Sequence, residues 1–322
     1  MGRASLLRAR GNQADPNIKR YSVNLQSDWY DIAFIGHMCF DEVVPYQGLP
    51  RVAPGSAVLC GALAAARVGK QVVVVTRMAP KDRAILQPLL QNGIEVHPTP
   101  SAETTFMKVV HSTADVDERQ IYQLANAGFF SLTDVPPLKA RQVHLAGITD
   151  KEFDLDFMRG LKERGFRMSA DMQSFVRQVQ PVTHCIVFGD VLQKTEIVSL
   201  MDMIKLDIVE AKVLTGTDDL ERAAQIIEGW GCSEILITRA EGVLARANGM
   251  TYYEKFSNKS VVGRTGRGDT TFAAYLAWRS DHDVTESLKF AAALVSLKME
   301  APGPFNGTLA DVLARMQTKH AA

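Results

Sequence analysis

Residues 263–271 read "GRTGRGDTT". The spacing from Gly263 through Gly268 to Thr270 fits the phosphate-binding loop G-x-x-x-x-G-K-[ST], except that Asp269 stands where that loop carries its lysine. The residues that follow, "TTFAAYLAWR", put apolar side chains on one helical face and contain neither glycine nor proline. Residues 263–268 therefore form a glycine-bearing turn that opens a helix. A helix N-terminus offers free N–H groups and a partial positive charge, so it attracts phosphate without a lysine. Gly266 and Gly268 let the backbone approach an anion closely. Asp269 is then free to serve as a base. A carboxylate within reach of a hydroxyl takes its proton as that oxygen attacks phosphorus. An anion hole beside a base is the minimal apparatus for moving a phosphoryl group onto an alcohol. A structural cap gives the same pattern, since aspartate favours helix starts.

The chain outside this turn alternates short apolar runs with helical stretches. "DIAFIG" (31–36), "QVVVVTRM" (71–78), "QVHLAG" (142–147), "FRMSAD" (166–171), "CIVFGD" (185–190) and "ILIT" (235–238) read as strands. Helices are expected at 57–69, 84–93, 151–164, 191–204 and 218–231, with two more across 269–299. That alternation argues for an α/β fold, a mainly parallel central sheet covered on both faces. Two stretches, about 39–54 and 94–125, are polar and β-branched without a helical period. They read as a small β-lid on a single domain spanning 29–315.

Composition narrows the class. The chain has 322 residues, 46% hydrophobic, with 36 basic and 36 acidic side chains and no net charge. Without a basic excess, neither nucleic acid nor an anionic membrane is expected as a partner. The four cysteines, Cys39, Cys60, Cys185 and Cys232, are scattered and suit a reducing compartment such as the cytoplasm. "FAAALVSL" (290–297), flanked by Lys289 and Lys298, is too short for a membrane span and reads as a core helix. Residues 1–28 read as a disordered leader, with a short organellar presequence as the alternative.

Three further constellations carry polar chemistry. Asp207 and Glu210, three residues apart at a strand-to-helix passage, can reach one hydrated Mg²⁺, although Glu210 equally suits a helix start. "ILITRAEGVLA" (235–245) ends a strand at Thr238 and turns through Glu241-Gly242, at the strand end where open α/β sheets bind ligands. Asp41 follows the first strand, and Gly55-Ser56 opens a small-residue helix that lets a polyol approach.

In this order, the pieces resemble the ribokinase-like (PfkB) kinases over roughly residues 30–305. The resemblance rests on "VVGRTGRGDTTFAA" (261–274), Asp207-x-x-Glu210 and "TRAEGV" (238–243). It implies a ribokinase-like three-layer sandwich, Asp269 as base, and the N–H groups of Gly266, Arg267 and Gly268 as anion hole. It also implies ATP and Mg²⁺ as cofactors, with Asp207 and Glu210 at the metal. Thr238, Arg239, Glu241, Gly242 and Val243 would line the nucleotide site, joined by Arg264 and Thr265. Asp41, Gly55, Ser56 and Cys60 would meet a small-molecule polyol or sugar. Where the family has a second glycine this chain has Ser56, and where it has an acceptor-binding asparagine it has Cys60. "SADMQSFVR" (169–177), "DDLERAAQII", "GRTGRGDT" and "KFAAALVSLKMEAPGP" are similar to the myo-inositol kinase-like subgroup. That likeness implies Asp171, Gln173 and Arg177 as pocket residues and myo-inositol as acceptor. Nucleoside or other sugar kinases and a non-catalytic sugar-binding relative are the alternatives. Pairing of two copies through the lid is a further expectation from the family.

Overall fold

The computed structural model describes residues 29–115 and 118–318, so the expected leader, residues 1–28, lies outside the described residues. The chain opens with β1 (Trp29–Ile35), β2 (Cys39–Val44), β3 (Arg51–Gly55), α1 (Ala57–Arg67) and β4 (Val72–Met78). It continues through α2 (Gln87–Gln91), β5 (Glu95–Pro100), β6 (Thr105–His111), β7 (Arg119–Ala125), β8 (Lys139–Leu145) and α3 (Leu155–Glu163). Next come β9 (Met168–Asp171), α4 (Gln173–Val176), β10 (Arg177–Val179), β11 (Ile186–Phe188), α5 (Lys194–Leu200), β12 (Met203–Asp207) and α6 (Ile208–Thr215). The last third holds α7 (Leu220–Glu228), β13 (Glu234–Thr238), β14 (Gly242–Ala247), β15 (Met250–Lys255), α8 (Arg267–Arg279), α9 (Val284–Met299) and α10 (Leu309–Thr318).

Nine strands form one sheet in the order β15-β14-β13-β12-β9-β8-β1-β4-β5. Pairing is parallel from β13 through to β5, and only β14 and β15 run antiparallel. Strand alternation divides the core in two. Ile32 and Phe34 of β1 face a cluster with α1, α8 and α9, while Ala33 and Ile35 face one with α3, α6 and α7. This is the mainly parallel sheet covered on both faces that the alternation of elements predicts, and the three-layer sandwich that the ribokinase-like resemblance implies.

A separate four-stranded sheet, β3-β2-β6-β7, makes the lid. The expected second lid stretch is shorter than 94–125, because β5 pairs in register with β4 at the edge of the main sheet. "CIVFGD" is also not a core strand: β11 pairs with β10 in a two-stranded ribbon. Its Val187 and Phe188 are exposed, so hydrophobicity there did not signal burial in the main sheet. The expected helix at 84–93 divides into a 3₁₀ segment, Pro80–Leu86, and the short α2, with Pro88 inside the second piece. Its proline has no N–H to give, which shortens the regular part.

A buried polar cluster ties the lid to the core. His37, between β1 and β2, has Nδ1 2.9 Å from Thr105 Oγ1 and Nε2 2.9 Å from the Gly128 carbonyl. A carbonyl only accepts, so Nε2 carries the proton and the Thr105 hydroxyl donates to Nδ1. Burial pushes the His37 pKa down, consistent with a neutral ring. Beside it, the fully buried Glu152 accepts from the backbone N–H of His37 at 2.9 Å, Ile148 at 2.5 Å and Thr149 at 3.3 Å. Glu152→Ala leaves these three donors without a partner in a dry site, each at about 1–3 kcal/mol. We expect it to lower the unfolding free energy by at least about 3 kcal/mol in urea titration, with Glu152→Gln costing less.

Candidate active site

The site lies at the carboxyl ends of the parallel strands. Gly266 caps α8 in the left-handed region at φ +77°, a conformation that suits glycine. Arg267, Gly268 and Asp269 form the first turn. The Arg267 N–H closes the turn onto the Arg264 carbonyl at 3.1 Å, so it does not join the expected anion hole in this arrangement. The N–H groups of Gly268 and Asp269 belong to the turn that has no internal helical acceptor. Lys298 of α9, 1% exposed, donates its ammonium protons to the carbonyls of Gly263 and Thr265 and so pins the loop from behind. Burial draws its pKa down. Lys298 is thus an internal group, not the polar flank that the sequence suggested.

Under the same turn lies Lys205 of β12, 3% exposed. A Cβ placed on Gly268 would stand 2.7 Å from Lys205 Nζ, so glycine is what admits the ammonium. Lys205 Nζ is 3.0 Å from Asp171 Oδ2 and 3.9 Å from Glu210 Oε2. The surrounding carboxylates hold the ammonium protonated against its desolvation. Asp171, the nearer partner, pairs with it. Glu210 is pushed up to about 8, chiefly by burial. Asp171 is therefore the counter-ion of a lysine and is itself buried, at 1% exposure. The sequence pattern assigned neither Lys205 nor Lys298 a role. The available signal was a lysine inside an otherwise apolar element, "MIKLD" and "ALVSLKM".

Across from α8, a second helix start closes the mouth. Ser56 caps α1 through its hydroxyl, which accepts from the Leu59 N–H at 3.0 Å. Cys60 faces Gly266: a Cβ on that glycine would meet its Sγ at 2.5 Å. Gly55 makes room for Asp41, whose carboxylate occupies the space that a Cβ there would need. Burial pushes Asp41 up to about 6, a bond from the Cys39 thiol lowers it in part, and the charge of Asp269 raises it further. Gln173 spans the mouth, donating from Nε2 to the Gly147 carbonyl at 2.8 Å and to Asp269 Oδ1 at 3.3 Å. Arg177 approaches Glu210 Oε1 at 3.7 Å, behind the lysine.

The expected nucleotide residues are only partly gathered. Thr238 ends β13 with its hydroxyl 4.0 Å from where a Gly268 Cβ would be. Arg239 pairs with Glu241 at 3.0 Å and lies 4.7 Å from the Tyr253 ring centroid, so these side chains cover one another. Gly242 sits beneath the Tyr253 hydroxyl, and Val243 is sealed in the core. Val243 supports the turn and lines no open surface. Arg264 and Thr265 lie in the loop before α8.

The donor set for Mg²⁺ fits one role and not another. Asp207 caps α6, its Oδ1 accepting from the N–H groups of Val209 and Glu210 at 2.8 Å each. Glu210 Oε2 returns the bond to the Asp207 N–H at 2.8 Å, but Glu210 Oε1 is buried without a hydrogen-bond partner. That oxygen, ion-paired with Arg177 at 3.7 Å but without a hydrogen bond, can still accept one from the water shell of a hydrated ion. Among the described residues no group of three His, Cys, Asp or Glu side chains gathers to bind a metal directly.

A helix start beside a carboxylate, on a mainly parallel sheet with a β-lid, is the layout expected of a small-molecule phosphotransferase. The model of the pfkB family carbohydrate kinases matches residues 29–310, and the chain belongs to that family. Its reaction class is phosphoryl transfer to a hydroxyl. A cytidine kinase of Thermococcus kodakarensis is 28% identical over 257 residues, covering 77% of this chain and 87% of that protein. A pyrophosphate-dependent ribokinase-family kinase, solved with a pyrophosphate analogue and myo-inositol, is 32% identical. It covers 88% of this chain and 99% of its own, with TM-score 0.80. A pyrophosphate-dependent myo-inositol-1 kinase converted into a myo-inositol-3 kinase is 31% identical, covering 90% and 100%, also at TM-score 0.80.

Two outcomes test the electrostatics. The raised pKa of Asp41 means that its protonated form favours folding: that contribution is complete below pH 3.8 and is lost as pH rises through about 6. Asp41→Asn should therefore raise stability above pH 7 by up to about 3 kcal/mol, and the gain should vanish below pH ~4, as read by denaturation across pH. Lys205→Met strands buried carboxylates and should cost about 3–5 kcal/mol at pH 8. The loss should shrink at pH 5, where the Glu210 carboxyl, pushed up to about 8, is protonated.

Proposed function

We propose that the protein phosphorylates a hydroxyl of a cyclitol, myo-inositol first, with pyrophosphate as donor and Asp269 as general base. The observation that carries this reading is the position of Asp269 at a mouth between the N-termini of α1 and α8, with buried ammonium groups beneath and behind the turn. Asp41 and Asp269 both border the space where an acceptor enters, and acidic oxygens suit a polyol's several hydroxyl donors.

In the reaction, Asp269 accepts the proton of the attacking hydroxyl as its oxygen bonds to phosphorus. The bond from that phosphorus to the leaving phosphate breaks, and the leaving group departs with its electron pair. Gln173, bonded to Oδ1, holds the carboxylate in line. The N–H groups of Gly268 and Asp269 and the α8 dipole receive the phosphoryl oxygens. Lys205 and Lys298 supply charge from within the fold, and Arg264 and Arg267 supply it from the loop. Glu210 would meet the water shell of a bound Mg²⁺, which would supply neutralisation of phosphate charge.

Pyrophosphate is favoured because it brings charge without a base or ribose to bury. The Arg239–Tyr253 stack fills surface beside the expected nucleotide turn. ATP is the second reading, favoured by Thr238 at the end of β13 beside Gly268. For the acceptor, the cytidine kinase likeness keeps a nucleoside in the comparison. Tyr46, Leu49 and Val52, exposed on the lid, support pairing of two copies there. Four unpaired cysteines support a reducing compartment, the cytoplasm.

The test is phosphoryl transfer from pyrophosphate or ATP to myo-inositol, ribose, fructose or cytidine, with Asp269→Asn beside the parent. Turnover of myo-inositol with pyrophosphate, reduced about 10²–10⁴-fold in kcat by the substitution, is the expected result. Turnover with ATP alone overturns the donor, turnover of cytidine alone overturns the acceptor, and full activity in Asp269→Asn overturns the base.

A further inference from the structure

At the opposite end of the parallel sheet from Asp269 lies a small cavity of about 100 Å³. It opens between the starts of β1, β8 and β12 and the C-terminal turn of α8. Three arginines line it, Arg141, Arg167 and Arg279, with Gln142 and Asp31 beside them. Arg279 is engaged by Glu234 at 3.1 Å. Arg141 has only loose acidic company, Asp31 at 3.8 Å and Asp281 at 3.5 Å. Arg167, at the entrance to β9, has no side-chain partner among the described residues. Gln142 is 7% exposed, yet its Nε2 is buried with no hydrogen-bond partner. An amide donor left unpaired in a dry wall costs about 1–3 kcal/mol, and such groups need an explanation.

We propose that this cavity binds a tetrahedral oxyanion of the phosphate class, held by Gln142 and the guanidinium groups of Arg141 and Arg167. The lining carries three positive charges and one negative, and every polar group that lacks a firm partner is a donor. Guanidinium forks match the spacing of phosphate oxygens. Asp31, Asp281 and the carbonyl end of α8 oppose an anion, which argues for a small ligand sitting toward Arg167 and Gln142. The volume admits a five-atom oxyanion and excludes a nucleotide. The ligand would touch the last turn of the helix whose first turn carries Asp269, about 20 Å along the axis. The proposal does not rest on the reaction assigned above, because neither Gln142 nor Arg167 belongs to that site.

Crystals of the parent protein soaked in tungstate locate the anion by its anomalous signal. Calorimetric titration with inorganic phosphate compares the parent, Arg167→Ala and Gln142→Leu. We expect a tungstate peak between Gln142 and Arg167, and a phosphate-binding event weakened at least tenfold in Arg167→Ala. Any binding at the α8 N-terminus should be equal in all three proteins. Gln142→Leu should melt higher than the parent in phosphate-free buffer and gain less from added phosphate. A peak confined to the α8 N-terminus, or identical titrations of parent and Arg167→Ala, overturns the site. A tungstate peak in the cavity with unchanged phosphate affinity means an adventitious ion only, and overturns it equally.

Discussion

The ammonium of Lys205, enclosed under the first turn of α8, is the constraint that the rest of the site accommodates. Strand β9 ends at Asp171, which stands 3.0 Å from it, and the capped start of α6 brings Glu210 to 3.9 Å. A Cβ at position 268 would press on the lysine ammonium, so glycine there leaves the enclosed charge its place. Taking these charges out of water costs several kcal/mol per ion, and a well-packed apolar trio would make an equal or better core. The arrangement makes sense where an internal positive field is needed at a place that water does not screen.

That field answers the substitution in the loop. In a phosphate-binding loop of the usual kind, the lysine rises from the same turn whose N–H groups hold the phosphate. Here one cation comes from β12 beneath and another from α9 behind, so position 269 is released for a carboxylate. Opposite charges within one mouth collapse onto each other unless the fold holds them apart. Lys205 is kept below by Asp171, Lys298 is bound to the Gly263 and Thr265 carbonyls, and Asp269 is held by the Gln173 amide. In the proposed reaction the Asp269 carboxylate and these cations would act on different sides of the transferred group.

The sheet and its carboxyl-end site were legible because strand and helix periods differ, and because glycines mark the turn before α8. The β10–β11 ribbon was not legible: "CIVFGD" has the composition of a core strand, but its pairing depends on contacts with β10 and β7 that no local pattern encodes. Asp269, Gln173 and Asp41 were found at the mouth, while Asp171 proved to be a lysine's partner and Val243 a core residue. Lys205 and Lys298 escaped notice for one reason. A lysine near the end of an apolar run reads as a solvated flank, and only packing in three dimensions reveals that its ammonium is enclosed.

Three shifts at the site point in the costly direction, while Lys205 is held protonated by the carboxylates around it. Burial raises the carboxyl groups of Asp41 and Glu210 and lowers the ammonium of Lys298, so each charged form is held against its preference. A sequence selected for stability alone would neutralise these positions. The two apolar clusters on either face of the sheet offset the strain, with Phe34, Phe272 and Phe290 fully buried on one side and, on the other, Leu161 fully buried and Phe157 nearly so. Each such side chain contributes about 1.5–3 kcal/mol. The rigid sheet can therefore carry a mouth whose carboxyl groups are held against their preference. On the proposed reading, hydroxyl donors of a polyol would relieve part of that cost at Asp41, which would tie the strain there to recognition and not to imperfect packing.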